Sequence, residues 1–321
     1  TGCYPRRIGF GSFEDRWVLF PGQGSQFVGM GTELFAARPD LLGSAADEVL
    51  GWSLQAVCAT GPEDELVRTE RAQPALYSVS YALWEAFAVR VPHLPMAAAG
   101  HSLGEYTALA ASGALDYRDG LQLVAQRGAA MAEATQETAG KMAAVMGADL
   151  DTIERVVAVM RNDGHEIWVA NINAPGQTVV AGAAESIDTL AADARGLGLR
   201  RVIPVKVAGA FHTPLMAPAQ ARLSAALSSV EFWPGSFPVW ANLEAAPAED
   251  VAAALSGQLV GKVRFSESLV AMREAGAEAF VHIGPGEVTA GMAKRTVEDA
   301  KVITVSELSD IAAAVDALTV V

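Results

Sequence analysis

The sharpest constraint in this sequence is the passage from Met96-Ala97-Ala98-Ala99 into Gly100-His101-Ser102-Leu103-Gly104, followed by a helical pattern from Leu103 to Ser112. A short apolar run stopped by GxSxG and resumed as a helix predicts a strand, a sharp turn and a helix, with the serine at the tip of the turn. Glycines on either side let the backbone pass where a β-carbon would not fit. The serine hydroxyl is then offered at the carboxyl end of a buried strand, the position of a nucleophile. In a chain with 30 glycines the pattern alone is a weak signal, and esterase, lipase and transferase chemistry all stay open.

At 321 residues, 51% hydrophobic and 19% charged, the chain can bury one large domain and a smaller one. No apolar run reaches the roughly eighteen residues that span a bilayer, and the opening Thr-Gly-Cys-Tyr-Pro-Arg-Arg lacks the apolar segment of a secretory signal. The expectation is a cytoplasmic monomer with no membrane partner. The 23 basic residues against 37 acidic ones leave a net charge of −14, which repels nucleic acid. Cys3 and Cys58 are too few for a disulfide framework. The five histidines are scattered, without HExxH spacing, so no metal and no permanently bound cofactor is expected.

Residues 1–15 have no clear period and read as a flexible lead-in. Trp17 to Phe20 predicts a buried strand, stopped by Pro21-Gly22-Gln23-Gly24-Ser25-Gln26. Helices are expected over Gly31 to Ala37, Asp40 to Leu50, Gln73 to Val91 and Tyr117 to Gln136. On the last of these, Arg127 falls at the edge of the apolar stripe, and a half-buried arginine needs an anion. From Gly140 the rhythm changes to strand Met142 to Met146, helix Asp149 to Met160, strands Ile167 to Ile172 and Thr178 to Ala181, helix Glu185 to Arg195, and strand Leu199 to Val207. That β-α-β-β-α-β order is the ferredoxin-like pattern, with Asn173-Ala174-Pro175-Gly176 as its central hairpin turn. The expected architecture is therefore α/β. A hydrolase-like large domain of mostly parallel sheet covers residues 16–138 and 208–321, and a ferredoxin-like small domain is inserted at 139–207.

Serine becomes a nucleophile when a base takes its proton, and histidine is the usual base. His212, in the loop Ala208-Gly209-Ala210-Phe211-His212-Thr213-Pro214 where the chain returns to the large domain, is the candidate. The backbone amides of Leu103 and of the Gln23 loop would hold an oxyanion, and Arg127 a substrate carboxylate. These residues describe acyl transfer on an anionic acyl group. No Asp or Glu stands out as a third triad member, and a backbone carbonyl is an alternative.

Phe20-Pro21-Gly22-Gln23-Gly24-Ser25-Gln26, Gly100-His101-Ser102-Leu103-Gly104-Glu105, Arg127-Gly128, Gly209-Ala210-Phe211-His212 and Gly284-Pro285-Gly286 together resemble the malonyl-CoA:acyl carrier protein transacylases, over about residues 17 to 305. The resemblance implies a ping-pong reaction in which Ser102 takes malonyl from coenzyme A as an ester and passes it to the phosphopantetheine thiol of an acyl carrier protein. It gives His212 the role of general base and Arg127 that of carboxylate clamp, with Gln23 and Leu103 as the oxyanion hole. It makes the main-chain carbonyl of Gln258 the group that orients the histidine. Arg200, Arg201, Lys294 and Arg295 match carrier-docking positions, and Phe211 the malonyl-selective pattern. Where family members often carry Asn-Pro-Val-Arg-Trp, this chain has Val260-Gly261-Lys262-Val263-Arg264-Phe265. Gly51-Trp52-Ser53-Leu54 with Gln73-Pro74-Ala75-Leu76-Tyr77 is similar to the discrete acyltransferases that serve polyketide synthases.

Two other readings compete. An acyl hydrolase clearing stalled thioesters would use the same Ser102–His212 pair with water as acceptor, but it gains nothing from a desolvated Arg127. A scaffold with a decayed site would not need serine, histidine, arginine and the Gln23 loop together.

Overall fold

The computed structural model describes residues 16–207 and 209–319; the expected lead-in over residues 1–15 lies outside the described residues. Its strands in chain order are β1 (Arg16–Phe20), β2 (Ala97–Gly100), β3 (Gly140–Met146), β4 (Ile167–Ala174), β5 (Gln177–Ala183), β6 (Arg201–Pro204), β7 (Val239–Ala241), β8 (Ala246–Pro247), β9 (Ala279–Ile283) and β10 (Lys301–Val305). They form a six-stranded sheet, β10-β9-β1-β2-β7-β8, and a four-stranded sheet, β4-β5-β3-β6. The first is parallel from β10 through β7, with β8 antiparallel at its edge. The second is antiparallel throughout and carries the helices Leu150–Asn162 and Ala184–Ala192. The α/β architecture expected from the sequence is the one observed, including the split βαβ order of the smaller sheet.

Burial explains the strand compositions. The side chains of β1 and β2 are buried on both faces, which is why they read as continuous apolar runs and not as alternating ones. The three alanines of β2 keep the sheet slim beneath the helix Gly104–Ser112, eight of whose nine residues are buried. A parallel sheet also brings the carboxyl ends of its strands to one edge. Phe20 pairs with Gly100, Ala99 with Trp240, and Leu19 with His282, so the loops leaving β1, β2, β7 and β9 all emerge side by side.

Several boundaries differ from the sequence expectation. The helix expected over Asp40 to Leu50 is two pieces, Pro39–Leu42 and Ser44–Leu50, broken at Gly43, whose backbone is not helical. The core helix begins at Thr69, earlier than Gln73, and runs through Pro74 to Ala88; burial on nearly every side outweighs the hydrogen bond lost at the proline. The last strand of the smaller sheet spans only Arg201–Pro204 and does not reach Val207, although the Val205 N–H still donates to the Met142 carbonyl at 2.9 Å. The hairpin turn is Pro175-Gly176 alone, so Asn173 lies within β4.

The smaller sheet is tied to the larger unit by main-chain bonds at its β4 edge. Ile172 donates to the Val263 carbonyl and Val263 to that of Ala170, each at 2.8 Å. Arg264 in turn donates to the Asn242 carbonyl at 2.9 Å. Val263 and Arg264, within the stretch Val260 to Phe265, therefore form the seam between the two sheets.

At the elbow, a β-carbon on Gly100 would coincide with the Gly104 backbone and crowd the Glu105 amide. Backbone cannot rotate away as a side chain can. Gly100→Ala is expected to destabilise the fold by about 3 kcal/mol, the upper range for overpacking, as read from the denaturant midpoint; an unchanged midpoint would disprove this account of the turn.

Candidate active site

Ser102 has φ 52° and His212 φ 61°, and among the described non-glycine residues only Ala245 shares a positive φ with them. Left-handed backbone at a side chain with a β-carbon costs about 1–3 kcal/mol and persists where the surroundings impose it. Here the surroundings are specific. The Ser102 amide donates to Asn242 Oδ1 at 2.6 Å, and Asn242 Nδ2 donates to the Gly100 carbonyl at 2.6 Å, so one asparagine at the end of β7 staples both sides of the turn.

Ser102 Oγ and His212 Nε2 are 2.8 Å apart, and His212 Nδ1 is 2.8 Å from the Gln258 carbonyl oxygen. A carbonyl only accepts, so the Nδ1 proton is defined, and the neutral ring presents its Nε2 lone pair to the serine hydroxyl. Burial, and then the Arg127 charge, push His212 down to about 3, which keeps the ring neutral and able to accept a proton at neutral pH.

Arg127 is fully buried at 1% exposure, deeper than the half-buried position expected from the helical stripe. The stripe argument counted only the arginine's own helix, whereas Gln73, Tyr106 and Gln258 close over it from three other segments. Its Nη1 donates to Gln73 Oε1 at 2.7 Å; Nη2 donates to Gln258 Oε1 at 2.8 Å and to Ser102 Oγ at 3.0 Å. Every hydrogen-bond acceptor it reaches is neutral, and Nε has no partner among the described residues. Burial lowers its pKa, yet a guanidinium stays charged at neutral pH.

The main-chain N–H groups of Gln23 and Leu103 donate to nothing among the described residues. Gln23, Ser102, Arg127, Phe211 and His212 line one cavity of about 220 Å3. Gln258 stands behind that cavity, and Leu103 is buried at the start of the helix. The other candidates stand apart. Arg200 and Arg201 sit at the start of β6, Lys294 and Arg295 in the last turn of the helix Val288–Thr296, and all four are exposed. That helix meets the cavity instead through Val288 and Met292. Among the described residues no cluster of His, Cys, Asp or Glu could hold a metal ion, and no helix is long and apolar enough to cross a membrane.

The sequence reading left out several members of this site. Gln73 belongs to the core helix, and the sequence places it in that helix and in the Gln73-Pro74-Ala75-Leu76-Tyr77 resemblance without giving it a role in the site. Asn242 follows the buried strand β7, and emergence at the carboxyl end of a parallel strand was the available signal. Asn173 Oδ1 lies 2.8 Å from His101 Nε2, bringing the smaller sheet against the elbow. Glu105 is 2% exposed, and its Oε2 accepts from the Asn242 amide at 2.9 Å and from Gln258 Nε2 at 2.7 Å. Burial pushes its carboxyl up to about 7 against the pull of those two donors. A carboxylate among alanines and leucines was its sequence signal.

An acyl transferase domain model matches residues 17–313 of the chain. The malonyl CoA-acyl carrier protein transacylase of Bacillus subtilis (strain 168) is 38% identical over 305 residues, covering 94% of this chain and 96% of the relative. The chain belongs to the malonyl CoA-acyl carrier protein transacylase family. The crystal structure of an acyl carrier protein S-malonyltransferase from Vibrio cholerae superposes with a TM-score of 0.88 at 33% identity, over 94% of this chain and 99% of that one. A malonyl-transacylase solved in complex with its type II PKS acyl-carrier protein superposes at 0.89 with 34% identity, over 95% of this chain and all of that one. The family resemblance drawn from the motifs is the one these comparisons carry.

Three buried histidines now set a pH dependence of stability. His212 is held down to about 3 and His282 to about 4, and His101 is lowered too, in each case first by burial. The unfolded chain would protonate them near 6.5, so it binds more protons than the folded chain below that pH, and stability falls with acid. Glu105 has the opposite sign, its contribution being full below 4.5 and lost as pH rises through about 7, but it is one group against three. The melting temperature is expected to drop between pH 7 and pH 5, and His282→Gln to flatten that drop; a melting temperature constant over this range would contradict it.

Proposed function

We propose that this protein moves a malonyl group from coenzyme A to the phosphopantetheine thiol of an acyl carrier protein through an ester on Ser102. The observation that carries the reading is Arg127, a buried guanidinium with only neutral partners, 3.0 Å from the candidate nucleophile. An unpaired buried charge costs several kcal/mol, and a substrate carboxylate entering the cavity would offset it. The acyl group must therefore carry a carboxylate within a few atoms of its thioester carbonyl. Malonyl does, and the relatives bear that substrate in their names.

In the first half-reaction His212 Nε2 takes the Ser102 proton as Oγ bonds to the thioester carbonyl carbon. The N–H groups of Gln23 and Leu103 receive the oxyanion. The carbon–sulfur bond then breaks, and the proton returns from His212 to the leaving coenzyme A thiol. The second half-reaction runs the same steps in reverse with the carrier thiol, leaving Ser102 free. The Gln258 carbonyl stabilises the imidazolium that forms between proton transfers, doing the work a triad carboxylate does elsewhere. Phe211 forms part of the pocket wall and limits branching at the malonyl α-carbon.

Arg200, Arg201, Lys294 and Arg295 are the proposed carrier-docking cations. All four are exposed, and on a chain of net charge −14 local basic groups would be needed to attract an acidic partner. Residues 16–138 and 208–321 carry the chemistry in this reading, and residues 139–207 cover it, with Asn173 held against His101. The hydrolase alternative finds no support, since the relatives are named transacylases.

Incubation with malonyl-CoA, with and without holo carrier protein, is expected to give a malonyl adduct on Ser102 by intact mass and its transfer to the carrier. Free malonate with no malonyl carrier would overturn the reading. Arg127→Ala is expected to lose at least about 100-fold in malonylation while gaining relative preference for acetyl-CoA. Unchanged selectivity in that variant would make Arg127 a structural residue.

A further inference from the structure

Glu105 is a buried carboxyl that the reaction as described does not use. It lies on the first turn of the helix that follows the elbow, and it makes no salt bridge among the described residues. An alkyl side chain of similar size would fill its place without the desolvation cost of an acid. Its partners supply the reason for a carboxyl.

Gln258 serves the reaction with both of its carbonyls. The main-chain oxygen accepts from His212 Nδ1, and the side-chain oxygen accepts from Arg127 Nη2. Its Nε2 faces three acceptors, Glu105 Oε2 at 2.7 Å, the Ser102 carbonyl at 3.0 Å and, more distantly, Asn242 Oδ1 at 3.5 Å. A primary amide can turn end for end in a pocket of its own shape, and only its neighbours decide which end faces where. Turned about, Gln258 would set its oxygen against the Glu105 carboxyl and its NH2 against the guanidinium of Arg127. The ionised carboxylate, which only accepts, opposes that arrangement from one side, as the Ser102 carbonyl and the Arg127 guanidinium do from the others. The same Oε2 also takes the main-chain N–H of Asn242, whose side chain staples the Ser102 turn.

We infer that Glu105 is a positioning residue for the transfer, fixing the Gln258 amide so that the base His212 and the clamp Arg127 are held in register with Ser102. This rests on the roles proposed above for those three residues. Glu105 touches neither substrate nor reacting atoms; it acts through Gln258 and Asn242. Base orientation and acyl selectivity are thereby coupled through one side chain, and a change at Glu105 disturbs both together.

The test uses the full-length chain with Glu105→Gln, which keeps the shape but can present an NH2 to Gln258, and Glu105→Asp, which keeps the carboxylate but withdraws it by one methylene. A fluorophosphonate probe reports Ser102 reactivity independently of any acyl carboxylate. Malonyl-CoA and acetyl-CoA, read by intact mass, report selectivity. In folded variants, labelling is expected to slow about ten-fold, and the malonyl-to-acetyl preference to fall by a similar factor, with kcat affected more than KM. Wild-type labelling and selectivity in either folded variant would overturn the inference. So would a lowered melting temperature with rates unchanged per folded molecule, or failure of both variants to fold, since each describes a purely structural role. A wild-type chain that takes the probe but no malonyl would overturn the proposed function instead, and the probe rates would still judge Glu105.

Discussion

The site depends on one electrostatic fact, that a guanidinium is buried beside a serine hydroxyl and makes no salt bridge among the described residues, the buried Glu105 carboxyl reaching it only through the Gln258 amide. Desolvation makes such a charge unfavourable, and it is tolerated only because two amide oxygens and the serine hydroxyl hold it in place. Those neutral acceptors solvate Arg127 without cancelling it. The charge stays open to an incoming anion, which is the role proposed for it toward an acyl carboxylate, and it lies 3.0 Å from Ser102 Oγ. Burial, and then the same field, hold His212 neutral, so Arg127 and His212 are electrostatically linked.

Geometry at that scale requires rigid support, and the parallel sheet supplies it. Adjacent strands β9, β1, β2 and β7 end at one edge. They deliver the Gly284 loop, the Gln23 loop, the serine turn and Asn242 without long excursions of chain. His212 comes from the loop that returns from the smaller sheet and Gln258 from the end of the helix Val251–Gln258, just before the main-chain bonds of Val263 and Arg264 that join the two units. The smaller sheet closes the far side with Asn171 and Asn173. The backbone strain at Ser102 and His212 is what this framework holds in place.

Much of this was legible in the chain itself. Glycine spacing marked the serine turn because a β-carbon at Gly100 or Gly104 has nowhere to go, and that constraint is local. The β-α-β-β-α-β rhythm marked the inserted unit because strand and helix periods differ within a few residues of sequence. Arg127 was marked as needing an anion, but its full burial was not, since the groups that cover it come from Gln73, Tyr106 and Gln258. Glu105 was read as part of a motif and given no task. Its two partners lie 137 and 153 residues away, beyond the reach of any periodicity.

By itself the sequence determined which residues stand on turns and which on faces, because those follow from short-range sterics and from the pattern of apolar positions. It also set the chemical vocabulary of a nucleophile, a base and a cation. Tertiary structure alone decided the grammar: that the Gln258 side chain also receives the buried guanidinium, that Arg127 makes no salt bridge among the described residues, and that a buried carboxyl lies against the same amide. Hydrogen bonds of under 3 Å between segments more than a hundred residues apart exist only once the sheet edge has gathered them, and no local rule in the chain could specify those contacts.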